Sequence, residues 1–349
     1  MKKKILSVVG ARPNFIKLAA LHPILETSFN HVIVHTGQHY DYGLSQNFFV
    51  ELKLPVPNYN LEVGSYPRGK QVSLIREKST EVLKIEKPDI VIVYGDTNST
   101  LGGALAASKL GIKIAHIEAG IRSYEKSLPE EINRVEADRL SSILFCPSQI
   151  ATKNLEKEGI NKNVYFTGDV MYDIFLKTKS EKAILEKLGL KNHNYYFSTI
   201  HRQVNTDRRI NLESILIALG KLDKVVIMPV HPRTEKAVAG YKIKTRNIRF
   251  IKPVNFSQNI ALESNAKTII TDSGGIQKEA YWLKVPAITL RDSTEWPETV
   301  SSGWNKLVGA NKNLIAREIK DFKKPDKHPN YYGKGDASLN VSQILQSYL

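Results

Sequence analysis

The chain has 349 residues, a hydrophobic fraction of 42% and a formal net charge of +15. This length exceeds one ordinary core and predicts two domains, and no apolar run approaches the ~18 residues of a membrane span. The amino-terminal KKKILSVVG lacks the small-residue cleavage site of a signal peptide. The single cysteine, Cys146, excludes an intramolecular disulfide. Together these features predict a cytoplasmic protein in a reducing compartment.

The positive charge reflects 50 Lys and Arg against 35 Asp and Glu. Such a surplus can attract nucleic acid, an anionic membrane surface or an acidic small substrate. The lysines are scattered in short groups, however, and no helix-turn-helix, zinc or aromatic RNA-binding pattern accompanies them. The sequence therefore favours a diffusely charged surface, with no specific nucleic-acid partner and no membrane.

Short apolar strands alternate with amphipathic segments along the whole chain. The strands are predicted at 4–9, 32–36, 89–94, 113–117, 143–146 and 164–167, then near 195–200 and at 225–229, 248–251, 267–271 and 286–290. The helices are predicted at about 13–26, 43–52, 69–86, 98–110 and 130–139, then near 208–221, 257–264, 274–283 and 312–321. Continuous apolar strands between helices are typical of parallel sheets covered on both faces.

Two such series predict an α/β protein with two Rossmann-like, doubly wound domains. The lysine-rich segment 177–193 is the expected crossing between them. In open parallel sheets, ligands bind beyond the carboxyl ends of the strands. Polar residues at strand ends are therefore the candidates for function.

Three acidic positions follow predicted strands or open a helix. Asp96 in YGDTNST and Glu118 in IAHIEAG each end an apolar run, where a carboxylate must be solvated, paired or used. Helix capping is a competing explanation for Asp96, whereas Glu118 before Ala-Gly is a poor cap. In LPEEINR the helix dipole accounts for one of Glu130 and Glu131. Arg134 lies one turn after Glu130 and is expected to pair with it.

Two further clusters carry candidate ligands. GARPNFIK at 10–17 places Arg12 and Lys17 near a helix start, which suggests anion binding or, equally, solvated side chains. STIHRQVN at 198–205 ends a strand on His201, a candidate for function whose structural alternative is an ordinary strand-end histidine.

TDSGGIQKEA at 271–280 is the most specific cluster. A strand ends on Asp272, Ser273 is expected to cap the next helix, and Gly274-Gly275 would let backbone N–H groups approach a phosphate. Glu279 is expected either to reach a ribose diol or to be a surface acid. No metal-binding spacing, nucleophile elbow, dinucleotide fingerprint or P-loop is present. The residues alone predict an enzyme that holds a phosphorylated ligand between facing sheets.

In this order the clusters resemble the non-hydrolysing UDP-N-acetylglucosamine 2-epimerases. The resemblance runs nearly end to end through GARPNFIK, TGQHYD (36–41), YGDTNSTLGGALAASK, HIEAGIRS, PEEINR, TGD (167–169), HR (201–202), DSGGIQKEA, RDSTEWPE (291–298) and YGKGDAS (332–338). It implies GT-B architecture, with two parallel-sheet domains facing a central cleft. The domains are expected at 1–172, joined by a C-terminal helix at 338–349, and at 173–337, which would bind UDP.

The resemblance also implies an isomerase that needs no cofactor, neither NAD nor a metal. UDP-GlcNAc and UDP-ManNAc would interconvert by elimination of UDP to a 2-acetamidoglucal and re-addition, with inversion at carbon 2. It implies that the catalytic residues are Asp96, Glu118, Glu130 and His201, with Glu118 or Asp96 as the base. The implied contacts to substrate or UDP are Arg12, Lys17, Arg134, Ser273, Gly274, Gly275, Glu279 and Trp296. A homodimer and a role in polysaccharide biosynthesis are implied as well.

Two departures from the family pattern leave the substrate open. Val204 stands where many members have the glutamate of HRxEN, and Trp296 stands where they have the arginine of TERPE, beside the UDP. TEW and the GDVM at 168–171 are similar to relatives acting on UDP-2,3-diacetamido-2,3-dideoxyglucuronate. UDP-GlcNAc is the first candidate, and the diacetamidouronate or the donor of a GT-B glycosyltransferase is the alternative. A hydrolysing epimerase would release free ManNAc.

Overall fold

The computed structural model describes residues 2–38, 49–50 and 52–349. Its strands are β1 Lys4–Val9, β2 Asn30–His35, β3 Tyr59–Asn60, β4 Ile90–Tyr94, β5 Lys113–Ile117, β6 Ile143–Cys146, β7 Val164–Phe166, β8 Tyr196–Thr199, β9 Val226–Pro229, β10 Ile248–Ile251, β11 Ile269–Thr271, β12 Ala287–Thr289 and β13 Asn305–Leu307. Its helices are α1 Arg12–Ser28, α2 Arg68–Glu86, α3 Asn98–Lys109, α4 Pro129–Leu140, α5 Gln149–Lys157, α6 Val170–Lys177, α7 Ala183–Lys187, α8 Gln203–Thr206, α9 Arg209–Gly220, α10 Pro232–Tyr241, α11 Phe256–Ser264, α12 Gly274–Trp282, α13 Pro297–Ser301, α14 Lys312–Lys320 and α15 Ala337–Tyr348.

These elements form two compact units. The first contains the described residues up to Lys177 together with Asn330–Leu349, and the second is Thr178–Pro329. The divisions, at 177/178 and 329/330, fall five and eight residues from the expected boundaries at 172/173 and 337/338. The reason is that α6 packs on α1 and α15 and so belongs to the first unit. In the same unit, the backbone of Tyr332 and Gly333 packs on Gly168.

Among the described residues, the sheet of the first unit has the order β3-β2-β1-β4-β5-β6-β7, and all its strands are parallel. Strand β4 shows why its sequence has no polar alternation. Ile90, Ile92 and Tyr94 pack in the core that α1 and α15 cover. Val91 and Val93 pack in the core that α2 and α3 cover. Because both faces are buried, every side chain of β4 is apolar or aromatic.

The C-terminal helix α15 packs on α1 and α6 within the first unit. Its amino terminus is held by Asp173 on α6, whose carboxylate accepts hydrogen bonds from the backbone N–H groups of Ala337 at 3.1 Å and Ser338 at 2.7 Å. Asp173 thereby satisfies helix donors that otherwise lack a partner.

The second unit has a parallel sheet in the order β10-β9-β8-β11-β12-β13 among its described strands. Numbered within its own unit, the second sheet therefore runs 3-2-1-4-5-6, the doubly wound order, and the first sheet has the same order with a seventh strand after the sixth. This confirms the predicted fold class of two parallel-sheet α/β domains. Within the described ranges, none of the helices has the length and apolar character needed to cross a membrane.

Some elements differ from the sequence prediction. Strands β3 and β13 and helices α5, α6, α8, α10 and α13 were not predicted, and α7 lies inside the predicted crossing segment. The helix predicted at 43–52 and the end of TGQHYD fall largely outside the described residues.

Candidate active site

The turn after β4 carries Asp96. Thr97, and not Asp96, caps α3, because the Thr97 hydroxyl accepts a hydrogen bond from the backbone N–H of Thr100. The capping explanation of Asp96 is therefore wrong. Its carboxylate, 29% exposed, binds the guanidinium of Arg134, while its backbone carbonyl accepts a hydrogen bond from the Asn133 amide at 2.9 Å.

The turn after β5 carries Glu118 in a left-handed backbone conformation, with a φ of +73°. A non-glycine residue in this region costs about 1–3 kcal/mol and is found where the surroundings hold it. The Glu118 carboxylate lies 3.0 Å from the ammonium of Lys17, and both side chains are largely buried. Lys17, which was expected to contact UDP, thus has a carboxylate partner.

Gly95 brings the two turns together. A Cβ atom at Gly95 would lie 3.2 Å from the Lys17 ammonium and 3.4 Å from the Glu118 carboxylate. The backbone beside Asp96 therefore packs directly on the Lys17–Glu118 pair. As the sequence predicted, the acidic ends of β4 and β5 are neighbours on one edge of the sheet.

In PEEINR the structure separates the two glutamates. Glu131 is buried and accepts hydrogen bonds from the backbone and hydroxyl of Ser123 at 3.0 and 2.9 Å and from the backbone N–H of Tyr124 at 2.9 Å. Arg134 also binds Glu131, at 2.8 Å. Glu131 is thus the acid with a structural explanation, whereas Glu130 is half-buried in the first turn of α4.

Several residues of this edge were not chosen from the sequence. Asn14, in the first turn of α1, joins the loop before this helix to the end of β4: its oxygen accepts hydrogen bonds from the backbone N–H groups of Gly10 and Ala11, both at 3.2 Å, and its amide donates to the Tyr94 carbonyl at 2.9 Å. Arg12, which the sequence did single out, is the first residue of α1 and is exposed. Asn14 and Asn133 lie inside the quoted motifs, but polar residues in a loop or helix give no signal of their partners.

A buried charged cluster lies under the two turns. His116 on β5 contacts the carboxylate of Asp138 on α4 at 2.7 Å, and Arg122 contacts the same carboxylate at 2.7 Å. Burial would raise the pKa of Asp138, but the charges and hydrogen bonds of His116 and Arg122 outweigh it and lower that pKa. Burial would lower the pKa of Arg122, but the hydrogen bonds and charges of Glu158 and Asp138 outweigh it and raise that pKa.

In the second unit, Asp272 organises the loop that carries His201. Its fully buried carboxylate accepts hydrogen bonds from the backbone N–H groups of His201 and Arg202 and from the Asn205 amide, each at 3.0 Å. The His201 imidazole lies 3.4 Å from the same carboxylate. The neighbouring His231 has a lowered pKa because of burial and, next, the charge of His201. His201 therefore stands beside a carboxylate that is held mainly by the backbone.

The Ser-Gly-Gly turn opens α12. Ser273 occupies the N-cap position, but its hydroxyl accepts no hydrogen bond from the helix, so the predicted cap is wrong. Its backbone N–H instead donates to the Thr271 hydroxyl at 2.9 Å. A Cβ atom at Gly274 would lie 2.7 Å from the Glu295 carboxylate, whereas at Gly275 the first contact is at 3.8 Å. A side chain at 274 would have to displace the Glu295 carboxylate, whereas position 275 leaves the helix start open.

The side chains beside this turn are charged or aromatic. Glu279 is buried, so its interpretation as a surface acid is wrong. Trp296 is also buried, and the Lys278 ammonium lies 4.1 Å from the centre of its ring. Arg291, which was not chosen from the sequence, binds Glu295 at 2.6 Å. No three metal-ligating side chains converge anywhere in the described part of the chain.

The first unit has two carboxylates at its strand ends, each paired with a cationic side chain, and the second has a glycine-rich helix start. Two doubly wound units with these features define a class of α/β enzymes that act on nucleotide-linked substrates. The sequence profile of the family described as UDP-N-acetylglucosamine 2-epimerase matches residues 24–346. The chain therefore belongs to this family, whose members are isomerases, and the resemblance is confirmed.

Similar proteins cover essentially the whole chain. A UDP-N-acetylglucosamine 2-epimerase homolog of Methanococcus maripaludis is 48% identical over 99% of both chains. The UDP-2,3-diacetamido-2,3-dideoxy-D-glucuronate 2-epimerase of Pseudomonas aeruginosa is 39% identical over 98% of this chain and 99% of its own. The crystal structure of Methanocaldococcus jannaschii UDP-GlcNAc 2-epimerase in complex with UDP-GlcNAc and UDP has a TM-score of 0.91 and 39% identity, covering 99% of this chain and 100% of that one. Such structural neighbours are GT-B-type epimerases.

Proposed function

We propose that this chain inverts carbon 2 of a UDP-2-acetamido sugar, converting UDP-GlcNAc to UDP-ManNAc by elimination and re-addition of UDP. The observation that carries the proposal is the Lys17–Glu118 pair packed against the backbone of Gly95-Asp96. It places two carboxylates, each with a cationic partner, at neighbouring strand ends. The names of the relatives support the same reaction class.

In the forward step, a carboxylate removes the proton from carbon 2, and the bond between carbon 1 and the diphosphate oxygen breaks. The bonding electrons leave with UDP, and a double bond forms between carbons 1 and 2 of the glucal. In the return step, UDP adds back to carbon 1 while a proton is delivered to the opposite face of carbon 2. Inversion therefore needs an acid or base on each face, or one base with a water.

The acidic residues of the first unit are assigned to the sugar. Breaking the anomeric bond builds positive charge on the ring, which nearby carboxylates stabilise. Glu118 and Asp96 are the two candidates for the base, and Glu130 is the third acid. Arg134 is assigned to orienting Asp96, which it binds.

The second unit is assigned to the departing UDP. A helix start with open backbone N–H groups favours phosphate, and α12 offers one at Gly274 and Gly275, with the hydroxyl of Ser273 beside it. His201 is assigned to neutralising the diphosphate charge. Glu279 and Trp296 are assigned to the nucleoside.

The diacetamidouronate is the second candidate substrate. It is favoured by the buried indole of Trp296 at the position of the expected arginine and by the name of the P. aeruginosa relative. Both substrates undergo the same chemistry at carbon 2, so the difference lies only in which sugar fits.

Proton NMR of UDP-GlcNAc incubated with the enzyme in D2O tests the proposal, with the diacetamidouronate analogue in parallel. We expect UDP-ManNAc carrying deuterium at carbon 2, because the abstracted proton exchanges with solvent. Turnover of the uronate alone would assign the second substrate. If both sugars stay unchanged, the epimerase proposal fails and the glycosyltransferase alternative is tested next by adding an acceptor.

We further propose that the enzyme is a cytoplasmic homodimer that supplies an activated sugar for polysaccharide biosynthesis. Sedimentation equilibrium tests the assembly: a mass near 39.3 kDa, that of a single chain, would contradict the dimer.

A further inference from the structure

The buried pair of His116 and Asp138 connects the two turns that carry Asp96 and Glu118. The Nε2 atom of His116 lies 2.7 Å from the carbonyl oxygen of Gly95, and its Nδ1 atom lies 2.7 Å from Asp138 Oδ1. The other oxygen of Asp138 accepts a hydrogen bond from the backbone N–H of Gly120 at 3.1 Å. One histidine and one carboxylate therefore hold the residue before Asp96 and the second residue after Glu118.

The geometry sets the charge of His116. A backbone carbonyl only accepts hydrogen bonds, so Nε2 must donate to Gly95. The guanidinium of Arg122, 2.7 Å from Asp138 Oδ2, keeps Asp138 ionised, so Nδ1 donates to the other carboxylate oxygen. With both ring nitrogens donating, His116 is an imidazolium.

The charges around the pair agree with this assignment. Arg122 binds both Asp138 and Glu158, the latter at 2.7 Å. Burial and then the charge of Asp138 raise the pKa of the Cys146 thiol to about 12, so it stays neutral. The cluster then holds two cations and two anions, whereas a neutral His116 would leave a net negative charge in the interior, which is costly.

We propose that His116 and Asp138 are positioning residues of the epimerase reaction, which fix the turns of Asp96 and Glu118 relative to each other. The inference rests on the proposed function. Asp138 lies on α4, the same helix that carries Arg134 to Asp96. It also secures the Gly120 end of the turn in which Glu118 is held at positive φ. Small displacements of a reacting group reduce turnover strongly, so supports of this kind act on kcat.

Two substitutions separate the contacts of His116. The amide of His116→Gln can still donate at the position of Nε2, toward Gly95, whereas the shorter amide of His116→Asn can donate only at the position of Nδ1, toward Asp138. We expect kcat to fall about tenfold in His116→Gln and about 100-fold in His116→Asn. In Asp138→Asn we also expect a fall of about 100-fold. KM should stay within about twofold, and the affinity for UDP, measured by calorimetry, should not change.

Glu158→Gln is the matched control, because it removes the other carboxylate of Arg122 without touching Gly95 or Gly120. We expect its kcat to equal that of the unsubstituted enzyme. Equal kcat in the two His116 variants, or losses that merely follow thermal stability across all four variants, would overturn the positioning role. An unsubstituted enzyme that turns over neither sugar would instead overturn the proposed function.

Nitrogen-15 NMR of the histidine rings tests the charge of His116 in the unsubstituted enzyme, so this test does not depend on whether a variant folds. The His116 signals are assigned as those missing from His116→Gln or, if that variant does not fold, from their coupling to buried backbone neighbours. We expect both ring nitrogens to carry protons at neutral pH. A ring nitrogen without a proton would overturn the imidazolium, and with it the proposed tie between the two turns.

Discussion

Asp96 and Asp272 follow equivalent strands of the two units, because β4 and β11 are each the fourth strand of their doubly wound sheet. Their surroundings differ completely. Asp272 is fully buried, and its oxygens accept hydrogen bonds from two backbone N–H groups and an asparagine amide. Asp96 is partly exposed, and its carboxylate binds the side chain of Arg134.

The comparison shows how to distinguish a structural acid from a candidate catalytic acid at a strand end. A carboxylate whose acceptor positions are filled by backbone N–H groups fixes a loop, and Asp272 fixes the loop of His201. A carboxylate that keeps an exposed oxygen and a side-chain partner can still contact a ligand. Glu131 belongs to the first kind. Glu118 resembles Asp96 in having a cationic side-chain partner, Lys17, although it is more deeply buried.

The largest effect is expected from removing the charge of Asp96. We expect Asp96→Asn to lower kcat about 10³-fold, as for the loss of a general acid or base, which is about 4 kcal/mol in activation free energy. Its free energy of unfolding should fall by less than about 1 kcal/mol, because Arg134 keeps Glu131 as a partner. Coupled assays and urea melts measure the two quantities. Glu136→Gln, at an exposed ion pair of α4, is the control. If Asp96→Asn instead kept normal turnover and lost stability, Asp96 would be a structural acid like Asp272.

In contrast to Asp96→Asn, Asp272→Ala should strongly lower the free energy of unfolding. Removal of this carboxylate leaves the buried backbone donors of His201 and Arg202 without their acceptor, at about 1–3 kcal/mol for each group left unsatisfied. We expect a loss of about 3 kcal/mol in the free energy of unfolding, measured by urea melts. Asp223→Ala, at an exposed aspartate of the same unit, should lose less than about 1 kcal/mol. Equal losses in the two variants would contradict the structural role of Asp272.

The sequence predicted the sheets because their strands are buried on both faces. IVIVY at β4 can only be an interior strand or a buried helix segment, and the glycine that follows ends it. Helices α5 and α10 were missed although each has a start signal, the cap of Ser148 and the first-turn proline Pro232. Their short lengths and mixed polarity hid these signals.

The sequence predicted where the candidate site residues lie, but not which residues they contact. Strand ends gave Asp96, Glu118 and His201, because parallel strands bring their carboxyl ends to one edge. The sequence did not show that Thr97 caps α3 or which acid of PEEINR is structural. Those outcomes depend on contacts such as that of Glu131 with Ser123, which spans eight residues through a loop of no regular period.

Acid should destabilise the first unit through His31. Burial and then the charge of His22 lower the pKa of His31 to about 3, against 6.5 when unfolded. The unfolded chain therefore binds this proton first, so stability is complete above pH 6.5 and falls as the pH decreases toward 3. At about 1.4 kcal/mol per pH unit, the loss between pH 6.5 and 5 is about 2 kcal/mol. Urea melts at the two pH values should show this loss, and His31→Gln should remove it. His193→Gln, at an exposed histidine of the second unit, should leave it. An unchanged slope in His31→Gln would contradict the assignment.

The smallest effect on stability is expected at Ser273. Asn255 caps α11 by accepting a hydrogen bond from the backbone N–H of Gln258 at 2.8 Å, and Asn255→Ala should lower the free energy of unfolding by about 1 kcal/mol. Ser273 has the same N-cap position on α12 but makes no such bond, so Ser273→Ala should change stability by less than about 0.5 kcal/mol. If its hydroxyl binds the diphosphate, as proposed, the variant should instead lose about 1 kcal/mol of UDP affinity in calorimetry. A stability loss equal to that of Asn255→Ala, with unchanged UDP affinity, would make Ser273 an ordinary cap and remove it from the proposed site.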